Sequence, residues 1–278
     1  EGEMFIGCAG GIDTLATFNY SKEKVPESHS AVKISVSGLK GGHSGDEIHK
    51  ELGNSNKILN RILWHAHQNY EIRLNIFDGG NLRNAIPREA EAVITVPAKH
   101  AEDLQKFVDQ FTKDVKFEFE ETAPDLNIEY KEVQNPDFVI DKETQNALIY
   151  SLYACPHGVI RWSLKLEGLV ETSTNLASVK FIEEDKIFIT TSQRSSLESG
   201  KTDVSNMVRS VFELAGAKAE HTGGYPGWSP NPDSEILKVV VDSYKRLFGK
   251  EPIVRAIHAG LECGLFLEKY PEIGRAHV

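Results

Sequence analysis

The chain has 278 residues and a formal charge of −10, from 31 Lys and Arg against 41 Asp and Glu. That balance argues against nucleic acid as the main partner, because phosphate binding needs a basic face. Hydrophobic residues at 40% and charged residues at 26% are ordinary for a globular protein with a sizeable core, and no apolar run approaches the ~20 residues of a membrane-spanning helix.

Residues 4–8 read as a buried strand, followed by Gly10 and Gly11. Val32, Ile34 and Val36 alternate with Lys33, Ser35 and Ser37, the period of a half-buried strand. A glycine-rich loop covers 38–45. Asn54 is placed to cap a helix whose apolar face is Ile58, Leu59, Ile62, Leu63 and Ala66. Ile72, Leu74 and Ile76 predict a second strand, ended by Asp78, Gly79 and Gly80, and Ala92, Ile94 and Val96 predict a third. Leu104, Phe107, Val108, Phe111 and Val115 mark an amphipathic helix, and Leu126, Ile128 and Tyr130 a fourth strand. The order β-α-β-β-α-β is that of the split βαβ sandwich, an antiparallel sheet covered on one face by two helices.

A looser second copy is expected to follow. It has a helix over 141–153, a hairpin over 178–191, and a helix striped by Val204, Met207, Val208, Val211 and Phe212. Residues 223–232 are dense in Gly and Pro and make the best linker candidate. Beyond them the pattern predicts a helix over 234–248, a strand over 253–257 and a further helix from Leu261, a strand–loop–helix unit of a separate α/β layer. Both ends look cut. The chain opens at Glu1 almost inside a core strand, residues 271–273 read as the entry to another strand, and 274–278 end without a cap, so an internal fragment of a larger protein is expected. The acidic first residues carry no signal-peptide pattern. Cys8, Cys155 and Cys263 are odd in number and widely spaced, which predicts free thiols in a reducing, cytoplasmic setting.

Several clusters could carry chemistry. In GGHSG at 41–45, flanking glycines leave the His43 imidazole free to donate to an oxyanion or a carboxylate, although spacing alone favours a solvated turn histidine. Asn84 precedes the bend set by Pro87, where an amide could orient a carboxylate or merely stabilise the turn. Arg194 follows an alternating strand, either to hold a carboxylate bidentately or as an edge arginine in water. His258, Gly260 and Glu262 lie at a strand-to-helix turn, where α/β layers bind ligands; Glu262 could equally just favour the helix start. No HExxH, phosphate loop or GxSxG elbow occurs.

Taken in order, LKGGHSGDEIHKELGNSNK at 39–57, GGNLRNAIPREA at 79–90, GVIR at 158–161, GGYPGW at 223–228 and IHAGLECGLF at 257–266 resemble the bacterial aminoacyl-histidine (Xaa-His, carnosinase-type) dipeptidases of the co-catalytic zinc peptidases. The resemblance runs from Gly2 to about Glu272. It implies an α+β lid, a ferredoxin-like βαββαβ sandwich with a second related half, joined to remnants of an α/β zinc-peptidase catalytic domain. Residues 1–27 would be a catalytic-domain strand and connection, 28–225 the lid and dimerisation domain, and 226–278 part of the catalytic domain. His43 matches the lid histidine that stabilises the tetrahedral oxyanion, with reach into a partner subunit. Asn84 and Arg194 match residues that grip the terminal carboxylate, while His258, Gly260 and, less firmly, Glu262 match a pocket-lining loop. The substrate implied is a short Xaa-His peptide, the assembly a homodimer through the lid, and the cofactor two zinc ions. The family's metal ligands and general base fall before Glu1 and after residue 273, so no residue here is assigned to metal, and the chain alone is expected to be inactive. The alternative is a non-catalytic dimerisation or binding module.

Overall fold

The computed structural model describes residues 2–270; the expected strand entry at 271–273 and the 274–278 tail with His277 lie outside the described residues. In chain order the elements are β1 (Glu3–Cys8), β2 (Gly10–Asn19), β3 (Lys22–Glu23), β4 (His29–Ser37), β5 (Gly42–His43), α1 (Ser55–Asn69), β6 (Arg73–Gly79), β7 (Ala85–Ile86), β8 (Ala90–Pro97), α2 (Ala101–Glu118), β9 (Asn127–Val133) and β10 (Val139–Ile140). Then come α3 (Lys142–Ala154), β11 (Gly158–Trp162), β12 (Val170–Ile182), β13 (Lys186–Ser195), α4 (Glu198–Leu214), β14 (Lys218–His221), α5 (Glu235–Phe248), β15 (Ile253–Ile257) and α6 (Glu262–Lys269). Two helix starts, those of α1 and α3, carry side-chain caps. Asn54 accepts from the Lys57 N–H at 3.2 Å, and Asp141 from that of Thr144 at 2.8 Å.

Among the described residues the main sheet has nine strands, in the order β14-β2-β13-β12-β6-β8-β4-β9, with β11 beside β12. Its pairings are antiparallel. One half is built from β4-α1-β6-β8-α2-β9 and the other from β2-α3-β12-β13-α4-β14. When the four strands of each set are numbered along the chain, both halves read 2-3-1-4 outward from the centre. The second copy therefore does not simply follow the first. Its opening strand is β2, and the whole first copy is inserted between β2 and α3. Sequence reading passed over β2 because Gly10, Gly11, Asp13 and Thr14 interrupt its apolar alternation. The strand is held instead by pairing on both sides, to β13 and β14, and by Ala16 and Phe18 in the core.

Helices α1 to α4 share one apolar core with the strands. It contains Leu59 and Leu63 of α1, Leu104 of α2, Leu148 of α3 and Phe212 of α4, against Val32, Ile34, Phe77, Ile94, Val179 and Ile189 of the sheet. Phe212 meets Phe18 edge-on at 6.5 Å between centroids. The halves join where Val179 of β12 faces Gly79 of β6. Strand β6 thus continues through Gly79, one of the residues expected to end it. A Cβ there would sit 1.9 Å from Asn56 Oδ1, and one on Gly80 would sit 1.9 Å from the Ala177 carbonyl, so glycine permits the close approach.

Strands β1 and β15 form a separate parallel pair, Glu3 beside Ile253 and Cys8 beside Ile257. The Gly/Pro-rich run at 223–232 is not a free linker. Cys8 and Trp228 exchange backbone hydrogen bonds of 2.8 Å each, and Gly11 and Tyr225 exchange bonds of 3.1 and 2.9 Å. Its glycines allow backbone to lie on backbone: a Cβ on Gly10 would stand 2.5 Å from the Gly227 nitrogen.

Because the core is shared, Phe212→Ala should lower stability by about 3–5 kcal/mol, read as a shift of the denaturant midpoint. Phe117→Ala, at a site 75% exposed, should change it by less than about 0.5 kcal/mol.

Candidate functional site

Two of the loops singled out by sequence are stitched together. Gly42 pairs with Ile86 and His43 with Ala85, and the Ser44 N–H donates to the Asn84 carbonyl at 2.9 Å. The His43 ring is held from within its own turn. Its Nδ1 accepts from the backbone N–H of Gly45 at 3.3 Å and of Asp46 at 3.0 Å, and the His43 N–H donates to Glu47 Oε2 at 2.9 Å. Burial, and then the nearby Arg194 charge, push the imidazole pKa below its ordinary value. The neutral ring with Nδ1 as acceptor carries its proton on Nε2, leaving that N–H to donate.

Arg194 is not an edge arginine. It lies on β13 between Gly11 of β2 and Ser173 of β12, and it is 7% exposed. Its Nη1 donates to the Tyr225 hydroxyl at 2.8 Å, while its buried Nε has no partner. His258 is buried beside it, with Nε2 2.7 Å from Ser173 Oγ and a buried Nδ1 without a partner. Gly45 makes this convergence possible. A Cβ on it would lie 2.1 Å from the His258 carbonyl and 2.9 Å from Arg194 Cδ. The His43 turn, the Arg194 side chain and the His258 loop thus meet at one glycine.

Asn84 is exposed, and it lines one cleft together with Arg194, Tyr225, Arg83 and Asp13; the last two form an ion pair at 3.2 Å. His258 lines a second cleft with His49, Asp46 and Arg255. Gly260 packs on the Tyr225 ring, which a Cβ there would approach to 2.7 Å. Glu262 is exposed in the first turn of α6 and is not among the residues of either cleft.

Sequence reasoning missed Tyr225, which it met only inside the supposed linker. It also missed the polar interior beneath the site. Thr172, Ser173, Thr174 and Asn175 of β12 and Ser192, Gln193 and Ser195 of β13 are buried. Gln193 accepts from the Thr14 hydroxyl at 2.7 Å and donates to Thr191 at 2.8 Å and Thr174 at 3.2 Å. Consecutive hydroxyl and amide residues inside predicted strands were the available signal, since burying them is costly unless they are bonded. The cluster as a whole is rich in donors, the Arg194 guanidinium and Nε2–H of His43, which suits an anionic or carbonyl oxygen. Among the described residues, no group of three or more His, Cys, Asp or Glu is placed to hold a metal ion, so these side chains do not fit the zinc pair the resemblance implies.

Burial, and then Arg194, bring the His258 pKa down to about 3. Unfolded, the ring protonates near ~6.5, so its contribution to stability is complete above that pH and declines as pH falls towards the folded value. Between pH 7 and pH 5 the native chain should lose about 2 kcal/mol more than His258→Gln in urea unfolding. Equal losses would mean that the imidazole is solvated.

The family model of the peptidase dimerisation domain matches residues 30–123. Over 273 residues the chain is 43% identical to the cytosol non-specific dipeptidase of Escherichia coli (strain K12), covering 98% of this chain and 56% of that protein. The crystal structure of aminoacylhistidine dipeptidase from Vibrio alginolyticus matches with a TM-score of 0.93 and 42% identity, covering 98% of this chain and 55% of that one. The chain thus spans about half the length of these relatives. The matched dimerisation domain thus lies in the first repeat, and two dipeptidases are similar along almost all of the chain's length.

Proposed function

We propose that the chain is the lid and substrate-gripping part of a cytoplasmic, metal-dependent dipeptidase that cleaves Xaa-His peptides. The observation that carries this reading is the convergence of His43, Arg194 and His258 on Gly45, in a chain similar over 98% of its length to a dipeptidase and to an aminoacylhistidine dipeptidase. Residues 28–225 with β2 form the lid, each repeat a ferredoxin-like half; the common strand order supports this. Residues 2–8 and 226–270 belong to the catalytic α/β layer, which the parallel β1–β15 pair supports.

Each donor then has a task. Nε2–H of His43 meets the oxygen that gains charge when the peptide carbonyl is attacked, where a positioned donor is most valuable. Arg194 and Asn84, in one cleft, hold the terminal carboxylate. His258 and Gly260 shape the pocket wall, His258 as a neutral ring. Glu262 has the weakest support, being exposed at a helix start. Association of two copies through the lid belongs to the same reading, in keeping with the dimerisation domain. The two zinc ions find no ligand set among the described residues, and no step here runs through them.

Calorimetric titration of the purified chain with glycyl-histidine tests the grip. Arg194→Ala should weaken binding about 10- to 100-fold, the loss of a charge-assisted hydrogen bond. Arg194→Lys should not restore it, since an ammonium lacks the planar fork. Equal affinity in all three would favour the non-catalytic module. The chain alone should release no histidine; chelator-sensitive release would overturn the assignment of the metal ligands to other segments.

A further inference from the structure

Strand β2, which local pattern did not reveal, brings an acidic side chain into the cleft of Arg194 and Asn84. Asp13 stands opposite Ser192 of β13, and Gly11, two residues earlier, stands opposite Arg194. Residues that oppose each other, or that lie two apart on one strand, share a face of the sheet. Asp13 and Arg194 therefore project from the same face as diagonal neighbours, with backbones about 7–8 Å apart. The other two corners of this block, Gly11 and Ser192, are small.

Asp13 is 9% exposed. Thr222 fixes its backbone from both directions: the Thr222 hydroxyl accepts from the Asp13 N–H at 3.2 Å, and the Thr222 N–H donates to the Asp13 carbonyl at 2.9 Å. The carboxylate accepts from Arg83 Nη1 at 3.2 Å through Oδ2, and the Arg83 side chain, on the loop between β6 and β7, is 73% exposed. A nearly buried carboxylate thus faces the cleft with a loosely held counter-ion. An exposed guanidinium binds such a partner weakly, so a better-placed donor displaces it.

We infer that Asp13 is a specificity residue, which reads the ring N–H of a C-terminal histidine whose carboxylate is held by Arg194 and Asn84. The inference rests on the functional reading above. Holding that carboxylate places the C-terminal residue beside Asp13 and leaves the terminal amine one residue further off. An imidazole offers an N–H in either tautomer, and two when protonated, whereas an aliphatic side chain offers none. Arg83 sets the size of the preference. With an aliphatic residue in the cleft, Asp13 keeps Arg83 and no charge is left unpaired. With a histidine, the ring takes over and Arg83 turns to solvent. The discrimination is therefore graded, and smaller than in a site whose buried group has no alternative partner.

Calorimetric titration with glycyl-histidine and glycyl-leucine measures the ratio of the two affinities. Asp13→Ala should lower the preference for glycyl-histidine about 10-fold, with glycyl-leucine bound at least as well as before. Asp13→Asn keeps the shape of the side chain, covers the case in which Asp13→Ala disturbs β2, and should lower the ratio about 3-fold. Arg83→Ala should raise it, because Asp13 then has no spare partner. N-acetylated forms of both peptides should show the same changes. A ratio that Asp13→Ala and Asp13→Asn leave alone, or a change that disappears on acetylation, overturns the inference; in the latter case the carboxylate reads the amine. The grip reports separately, since Arg194→Ala should weaken both peptides alike. If it weakens both while the Asp13 variants keep the native ratio, only this inference falls. If it weakens neither, the functional reading fails and takes this inference with it.

Discussion

The antiparallel contact between β6 and β12 is the constraint on which the rest of the molecule depends. It lets two four-stranded sheets become one, and it can form only because Gly79 and Gly80 carry no side chain where Asn56 and the Ala177 carbonyl stand. On the helical side the same junction buries the Lys57 stem between α1 and α3. There its ammonium satisfies three carbonyls at the end of α3 that have no partner within the helix. Burial lowers the lysine pKa, but three hydrogen bonds to carbonyl oxygen oppose that cost.

The functional cluster is a by-product of this geometry. Joining the repeats sets the His43 turn, anchored by β5 and β7 of the first repeat, beside the end of β13 in the second. Asn175 of β12 donates to the Ala85 carbonyl at 2.8 Å, so the strand beneath the site also ties down the loop above it. Arg194 can lie in an interior strand because Tyr225 accepts its Nη1 and because that tyrosine ring is itself seated between Gly11 and Gly260. Lys201 steadies the same residue by donating to the Tyr225 carbonyl at 2.9 Å. The segment that looked most like a flexible connection thus supplies the buttress of the most buried charge at the site. Burial first, and the Arg194 charge second, lower the pKa values of both His43 and His258, which favours the neutral rings that act through hydrogen bonds rather than as cations.

Much of this was legible in the amino-acid order. Alternation at Val32, Ile34 and Val36, the helical stripes of α1 and α2, and the cap at Asn54 are local signals, and local geometry answers to them. The glycines around His43 likewise announced a place where backbone approaches backbone. Strand β2 was not legible, since its stability comes from distant neighbours in β13 and β14, Lys186 facing Asn19 and His221 facing Thr14, rather than from its own pattern. Nor was the meeting of His43 with Arg194, for the same reason.

By itself, then, the sequence determined the elements of the first repeat and their order, and the motifs that resemble a peptidase family, because periodicity, capping and turn chemistry act over a few residues. Only the tertiary structure decided that the second repeat begins before the first, that the Gly/Pro-rich run is paired backbone, and that donors from both repeats share one site. Those outcomes depend on which distant strands pair and on where the absence of a Cβ lets them touch, and no short window of residues carries that information.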